Sequence, residues 1–211
     1  MNRQSRNPGN PWADHYTRQA KHDHFAARSV YKLQEIQKKY HILRKGDRVL
    51  DLGCAPGSWL QFAAAEVGTT GRVAGIDLSP VTLTLPDHVT VVTGDVADFP
   101  SHLSRLEMMR VHVVLSDMAP STTGNAFVDV ARSVGLAESA LSIADQVLLT
   151  GGHFVCKIFQ GADFKVFADQ VKQRFDRQTA LRPQSTRKAS REVFIIGLGK
   201  KNGKSPSGKQ I

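Results

Sequence analysis

The sequence predicts an α/β fold built on a mostly parallel sheet with helices on both faces. Two observations carry this: short β-rich runs recur along the chain, and longer helix-like stretches separate most of them. A third bounds it. A chain of 211 residues, 41% hydrophobic and 22% charged, suits one good-sized core, and it shows no internal repeat and no second domain.

In chain order, residues 1 to 28 are polar and basic (Arg3, Arg6, Arg18, Lys21, Arg28), with NPGNP at 7 to 11 interrupting regular structure; they are expected to form a basic N-terminal arm. RSVYKLQEIQKKY (28 to 40) spaces Val30, Leu33 and Ile36 as a helix does. RVLDLG (48 to 53), RVAGID (72 to 77), VTVVTGD (89 to 95), VHVVLSD (111 to 117) and HFVCKIF (153 to 159) read as strands. The stretches WLQFAAAEV, SHLSRLEMM, DVARSVGLAESALSIADQVLL and DFKVFADQVKQRF read as the helices between and after them, and SREVFI as a final strand. The domain spans 29 to 199, and the glycine-, serine- and lysine-rich segment 200 to 211 is expected to be a disordered basic tail.

Composition narrows the setting. No run approaches the roughly 18 apolar residues of a membrane span, and MNRQSRNPGN lacks an apolar signal core, so a soluble cytoplasmic protein without membrane contact is expected. Cys54 and Cys156, both in apolar strand-like contexts, suit reduced core thiols. The net charge of +9 favours a polyanionic partner, RNA or DNA, over the alternative that basic charge only maintains solubility.

In such a sheet, ligands sit at the carboxyl ends of the strands. The first strand runs into DLGCAPGSW, where Gly53 and Gly57 flank a tight turn and Trp59 begins a helix whose free N–H groups face a ligand. Asp77 ends the second strand, twenty residues past Gly57, where a carboxylate can hold two ribose hydroxyls. NAD and S-adenosylmethionine both use that pair of features. The loop is G-x-x-x-G, however, with Pro56 where a pyrophosphate needs a central glycine, and Asp95 follows the third strand where a carboxylate can meet an adenine amino group. The combination favours S-adenosylmethionine.

The fourth strand delivers Asp117 in SDMAP, which lacks the aromatic ring that amine-directed methyltransferases carry at this place. Lys157 interrupts the apolar run of GGHFVCKIFQG, and an ammonium there either reaches water at a sheet edge or is paired. Lys157 would lie beside Asp117, with Glu192 on the returning strand and Lys32 on the N-terminal helix as further members. Arg182, Arg187, Lys188 and Arg191 cluster before Glu192, where phosphate contact is favoured over a solvated charged face. His15, His22 and His24 have no companion ligands at metal-site spacing, so no metal is expected.

YKL, DLGCAPGSW, SDMAP, KIFQG and SREVF, in this order and from about Tyr16 to Gly199, resemble the FtsJ/RrmJ (RlmE) family of ribosomal RNA 2′-O-ribose methyltransferases. The resemblance implies a single Rossmann-like, seven-stranded methyltransferase sheet with a final antiparallel strand, and S-adenosylmethionine as donor. It also implies a catalytic set of Lys32, Asp117, Lys157 and Glu192 with Lys157 central, and cofactor contacts at Gly57, Trp59, Asp77, Asp95 and Asp117. Lys157 would then act on a ribose hydroxyl, as a base when neutral or as an orienting donor when charged. The implied substrate is a uridine of large-subunit ribosomal RNA in the assembled subunit, and the protein is expected to act as a monomer. Transfer RNA as substrate, a small-molecule or protein methyltransferase, and a non-catalytic RNA-binding assembly factor are the competing readings.

Overall fold

The structure, a computed structural model, describes residues 11–106 and 108–202. Its elements are α1 (Pro11–His22), α2 (Val30–Tyr40), β1 (Arg48–Leu52), α3 (Ser58–Val67), β2 (Arg72–Asp77), β3 (Val89–Thr93), α4 (Phe99–Leu106), β4 (Val111–Ser116), α5 (Ala126–Val147), β5 (Leu148–Phe159), α6 (Phe164–Arg174), β6 (Phe175–Leu181) and β7 (Glu192–Lys200). A short 3-10 turn occupies Val96–Asp98.

The strands form one seven-stranded sheet in the order β3-β2-β1-β4-β5-β7-β6. The pairs among β1 to β5 are parallel, and β7 runs antiparallel to both β5 and β6. The strand order reverses between β1 and β4, which makes the carboxyl ends of these two strands the natural ligand crevice. The expected final antiparallel strand is therefore an interior one, wedged between β5 and β6.

Side chains alternate across the sheet and divide the core in two. Leu50, Leu52, Val114, Phe154, Cys156 and Ile158 pack with Phe99, Leu141, Ala144, Phe167 and Val171, under α4, α5 and α6. Val49, Val113, Leu115, Val155, Phe194 and Ile196 pack with Leu33, Ile36, Trp59 and Leu60, under α2 and α3. Lys157 follows Cys156 and so shares the second face, toward α2. Both cysteines are free and buried, and burial pushes the Cys156 thiol up to about 12, which leaves it unionised at neutral pH.

Within the expected arm and tail, the described residues include regular structure. Residues 1–10 lie outside the described residues, but Pro11–His22 form a helix, and Ala20 is buried against Val30 and Tyr31. Pro11 occupies a first helical position, where its fixed φ and missing N–H are no handicap. At the other end, Lys200 belongs to β7, and its ammonium donates to the carbonyls of Ala144, Asp145 and Leu148 where α5 ends. The remainder of the expected tail, 203–211, lies outside the described residues.

Candidate active site

Strand register assembles the site. Leu52 pairs with both Ile76 and Ser116, and Ser116 pairs with Cys156. The next residue of each strand is therefore Gly53, Asp77, Asp117 and Lys157, aligned along one rim of the sheet.

A cavity of about 390 Å³ opens at this rim, walled by Gly53, Ala55, Asp77, Leu78, Asp95, Asp117 and Met118 among others. Gly53 has φ +77°, and a Cβ there would stand 2.5 Å from the Met118 side chain, so the turn accepts only glycine. Asp77 accepts from the Ala55 N–H at 2.9 Å through Oδ2 and from the Ser79 N–H at 2.8 Å through Oδ1. It thus braces the glycine loop as well as facing the cavity. Asp95 caps the 3-10 turn by accepting from the Ala97 N–H at 2.9 Å.

Gly57 and Trp59 stand apart from the cavity wall. Gly57, at φ +111°, caps α3, and a Cβ there would meet Leu83 at 2.7 Å. The Trp59 ring is buried against Phe194, and its indole N–H donates to the Ser29 carbonyl at 2.9 Å. Any contribution of Trp59 to a ligand therefore comes from its backbone N–H in the first turn of α3, not from its ring.

Lys157 is not at a sheet edge: β5 has a neighbour on each side, and the residue is 7% exposed. Its ammonium donates to the Asp117 carbonyl and lies 2.9 Å from Asp117 Oδ1, an ion pair whose carboxylate oxygen is not aligned as a hydrogen-bond acceptor. A second pair lies beside it. Lys32, reaching down from α2, bonds to Glu192 at the start of β7 and rests 5.8 Å above the Phe194 ring, the residue paired with Lys157. Ser190 donates to the other Glu192 oxygen at 2.9 Å. Burial pushes the Glu192 carboxyl up, but the nearby ammonium of Lys32, its hydrogen bond, and Lys157 outweigh it and hold the group below its ordinary range. All four members of the expected catalytic set are thus brought together.

Three residues of the site were not expected. Asp51, the acid of DLG, is wholly buried with neither carboxylate oxygen bonded, and burial together with Asp117 and Asp77 raises it well above the usual carboxylate range. In the sequence it is one polar residue in an apolar strand. Leu78 is 71% exposed at the cavity wall, an apolar surface suited to a planar ring. Glu35 accepts from the Gln184 N–H at 2.7 Å, the Ser185 N–H at 3.0 Å and the Ser185 hydroxyl at 2.6 Å, and Arg28 donates to the Ser185 carbonyl at 3.2 Å. Arg28, just ahead of α2, and Lys32 and Glu35 on it all bond to the segment 184–192. Arg182 also braces this segment: its Nη2 donates to the carbonyls of Arg187, Lys188 and Ser190. It shapes the loop through one nitrogen while the residue stays exposed.

The profile of the FtsJ-like methyltransferase family matches residues 25–200. This chain belongs to that family. It is 53% identical to the ribosomal RNA large subunit methyltransferase E of Desulforapulum autotrophicum, over 91% of this chain and 95% of that one. It is 46% identical to the protein of the same name from Bdellovibrio bacteriovorus, over 89% and 97%. Among solved structures, a Plasmodium falciparum chain described as a ribosomal RNA methyltransferase superposes with TM-score 0.72 at 24% identity, covering 85% of this chain and all of that one. Aeropyrum pernix fibrillarin, solved with natively bound S-adenosyl-L-methionine, superposes with TM-score 0.56 at 18% identity, covering 74% and 68%. These likenesses establish the Rossmann-like methyltransferase fold. Among the described residues no helix is long and apolar enough to cross a membrane, and no group of three or more potential metal ligands occurs.

Proposed function

We propose that this member of the FtsJ-like family methylates the 2′-hydroxyl of a ribose, that of a uridine in large-subunit ribosomal RNA, within the assembled subunit in the cytoplasm. The observation that carries the chemistry is the Lys157–Asp117 pair at the edge of the cavity, backed by the Lys32–Glu192 pair. S-adenosylmethionine, when bound, supplies a methyl group on a positively charged sulfur and leaves as a neutral thioether. The cavity fits it: Asp77 offers a carboxylate at the place for ribose hydroxyls, Leu78 an apolar wall, Asp95 an acceptor, and Asp117 a further wall residue beside Lys157.

A ribose hydroxyl attacks only if its proton is leaving or its lone pair is aimed. Lys157 in its unprotonated form accepts that proton as the oxygen–methyl bond forms. Asp117 fixes the amine at the cavity edge through its carbonyl and its carboxylate. Glu192 and Lys32 neutralise one another beside it and hold the acceptor side of the site. The large-subunit substrate is supported by the named function of relatives matched over nearly their full length, and by the net charge of +9.

The test is to offer methyl-labelled S-adenosylmethionine with large subunits, stripped ribosomal RNA, transfer RNA and bulk protein in parallel. Label entering large-subunit RNA in the assembled particle, ahead of stripped RNA, is expected. Label confined to protein or transfer RNA would overturn the substrate assignment.

A further inference from the structure

A second cavity, of about 330 Å³, shares no wall residue with the first, yet it lies on the same elements that carry the catalytic residues. The segment after Asp117 walls both: Met118 and Ala119 face the first cavity, Gly124 and Ala126, the first residue of α5, the second. Phe159 closes the second cavity from β5, two residues past Lys157, while Ala189 and Ser190 close it from the segment entering β7. Ser190 is also the residue that bonds Glu192. Apolar surface from Ala126, Ala189 and Phe159 with the polar groups of Ser190, Asp129 and Arg191 makes a slot for a flat, partly polar ring, and its volume is at the small end of ligand pockets. Beside Ala126, Phe127 leaves its ring 89% exposed at the start of α5, an unpartnered aromatic surface on the same flank.

We propose that this second cavity seats the base of the acceptor nucleotide. The proposal rests on the ribose methylation reading, and it follows from a geometric demand. A ribose presented to Lys157 brings its base with it, and a base held away from its neighbours in the RNA needs stacking and edge contacts on the protein. The slot bounded by Phe159 and Ser190 is within two residues of Lys157 and of Glu192 along the chain, so one nucleotide can engage both. Apolar surface for a ring face, polar groups for its edge and the Asp129 carboxylate among the walls fit a base better than a lone phosphate.

The experiment fills the slot. Ala126→Trp places a large ring in the cavity from a surface helix position, and Ala189→Trp does so from the opposite wall. Each variant and the wild-type protein is assayed on large subunits reconstituted with RNA whose methylated nucleotide either keeps or lacks its base. Wild type is expected to prefer the intact nucleotide by about ten- to a hundredfold in kcat/KM, the range for one stacked base. Both variants are expected to bind S-adenosylmethionine with unchanged affinity and to lose that preference. A filled variant that still discriminates by the wild-type factor would overturn the seat while leaving ribose methylation intact. Failure of the wild-type protein to label either ribose would overturn the reading beneath it as well.

Discussion

The Asp77 carboxylate accepts from the Ala55 and Ser79 N–H groups and also faces the cavity. Asp77→Ala therefore removes a ligand contact and releases the glycine loop together. A hydrogen bond to a charged group is worth about 1.5 to 3 kcal/mol, so calorimetry should show S-adenosylmethionine affinity reduced by at least about tenfold. An unchanged dissociation constant would remove Asp77 from the site. Lys157→Ala separates binding from chemistry. Cofactor affinity should hold, while turnover falls by about 10² to 10⁴, the usual contribution of a positioned proton acceptor; a variant retaining more than about a tenth of wild-type turnover would make Lys157 a bystander.

Among the elements, α2 is the clamp. Val30, Leu33 and Ile36 bury its apolar side, Glu35 grips the segment before β7, Lys32 grips the first residue of β7, and Arg28, just ahead of the helix, adds a bond to Ser185. Glu35→Ala leaves the Gln184 and Ser185 donors without their acceptor. Stability should drop by about 1 to 3 kcal/mol in chemical denaturation, and kcat should fall through misplaced Glu192 with cofactor affinity unchanged. A variant as active as wild type would mean that the loop holds its shape without α2. The basic loop divides by the same logic. Neutralising Lys188, which is exposed, should lower the salt slope of RNA binding by about 0.7 to 0.9 if it meets one phosphate. Arg182→Ala should destabilise the loop instead. A salt slope unmoved by loss of Lys188 would return that charge to a solvated surface.

What the sequence disclosed follows the same physics. β1, β2, β4 and β5 are buried on both faces and read as apolar runs, and the glycine turn and rim acids stand at their ends. β6 is an edge strand of largely polar residues, FDRQTAL, and has no such run. α1 escaped because its buried contact is narrow, Ala20 among charged neighbours. Glu35 in KLQEIQ reads as a solvent-facing helix residue; its partners lie about 150 positions away, and nothing local marks them. The four proposed catalytic residues and the approach of Lys157 to Asp117 were legible through motifs, whereas the pairing of Lys32 with Glu192 came from strand register and the position of α2.

At the scale of the molecule, the Lys32–Glu192 pair ties α2 to the last strand, β7, so acid should loosen the fold from the site outward. Glu192 titrates lower in the folded chain than in the unfolded one. Its contribution is therefore complete above the ordinary glutamate range and is lost as pH falls through the folded value. The stability difference between wild type and Glu192→Gln should be present at neutral pH and shrink below about pH 4; a difference that persists unchanged into acid would disconnect Glu192 from Lys32.

The central claim is that the methyl group arrives on a ribose oxygen. Large subunits labelled by the wild-type protein are stripped and their RNA is digested with alkali, which cleaves only beside a free 2′-hydroxyl. The expected result is label in a single alkali-resistant dinucleotide whose first residue is uridine, absent when Lys157→Ala replaces the wild-type protein. Label released as a mononucleotide carrying a methylated base would contradict the account.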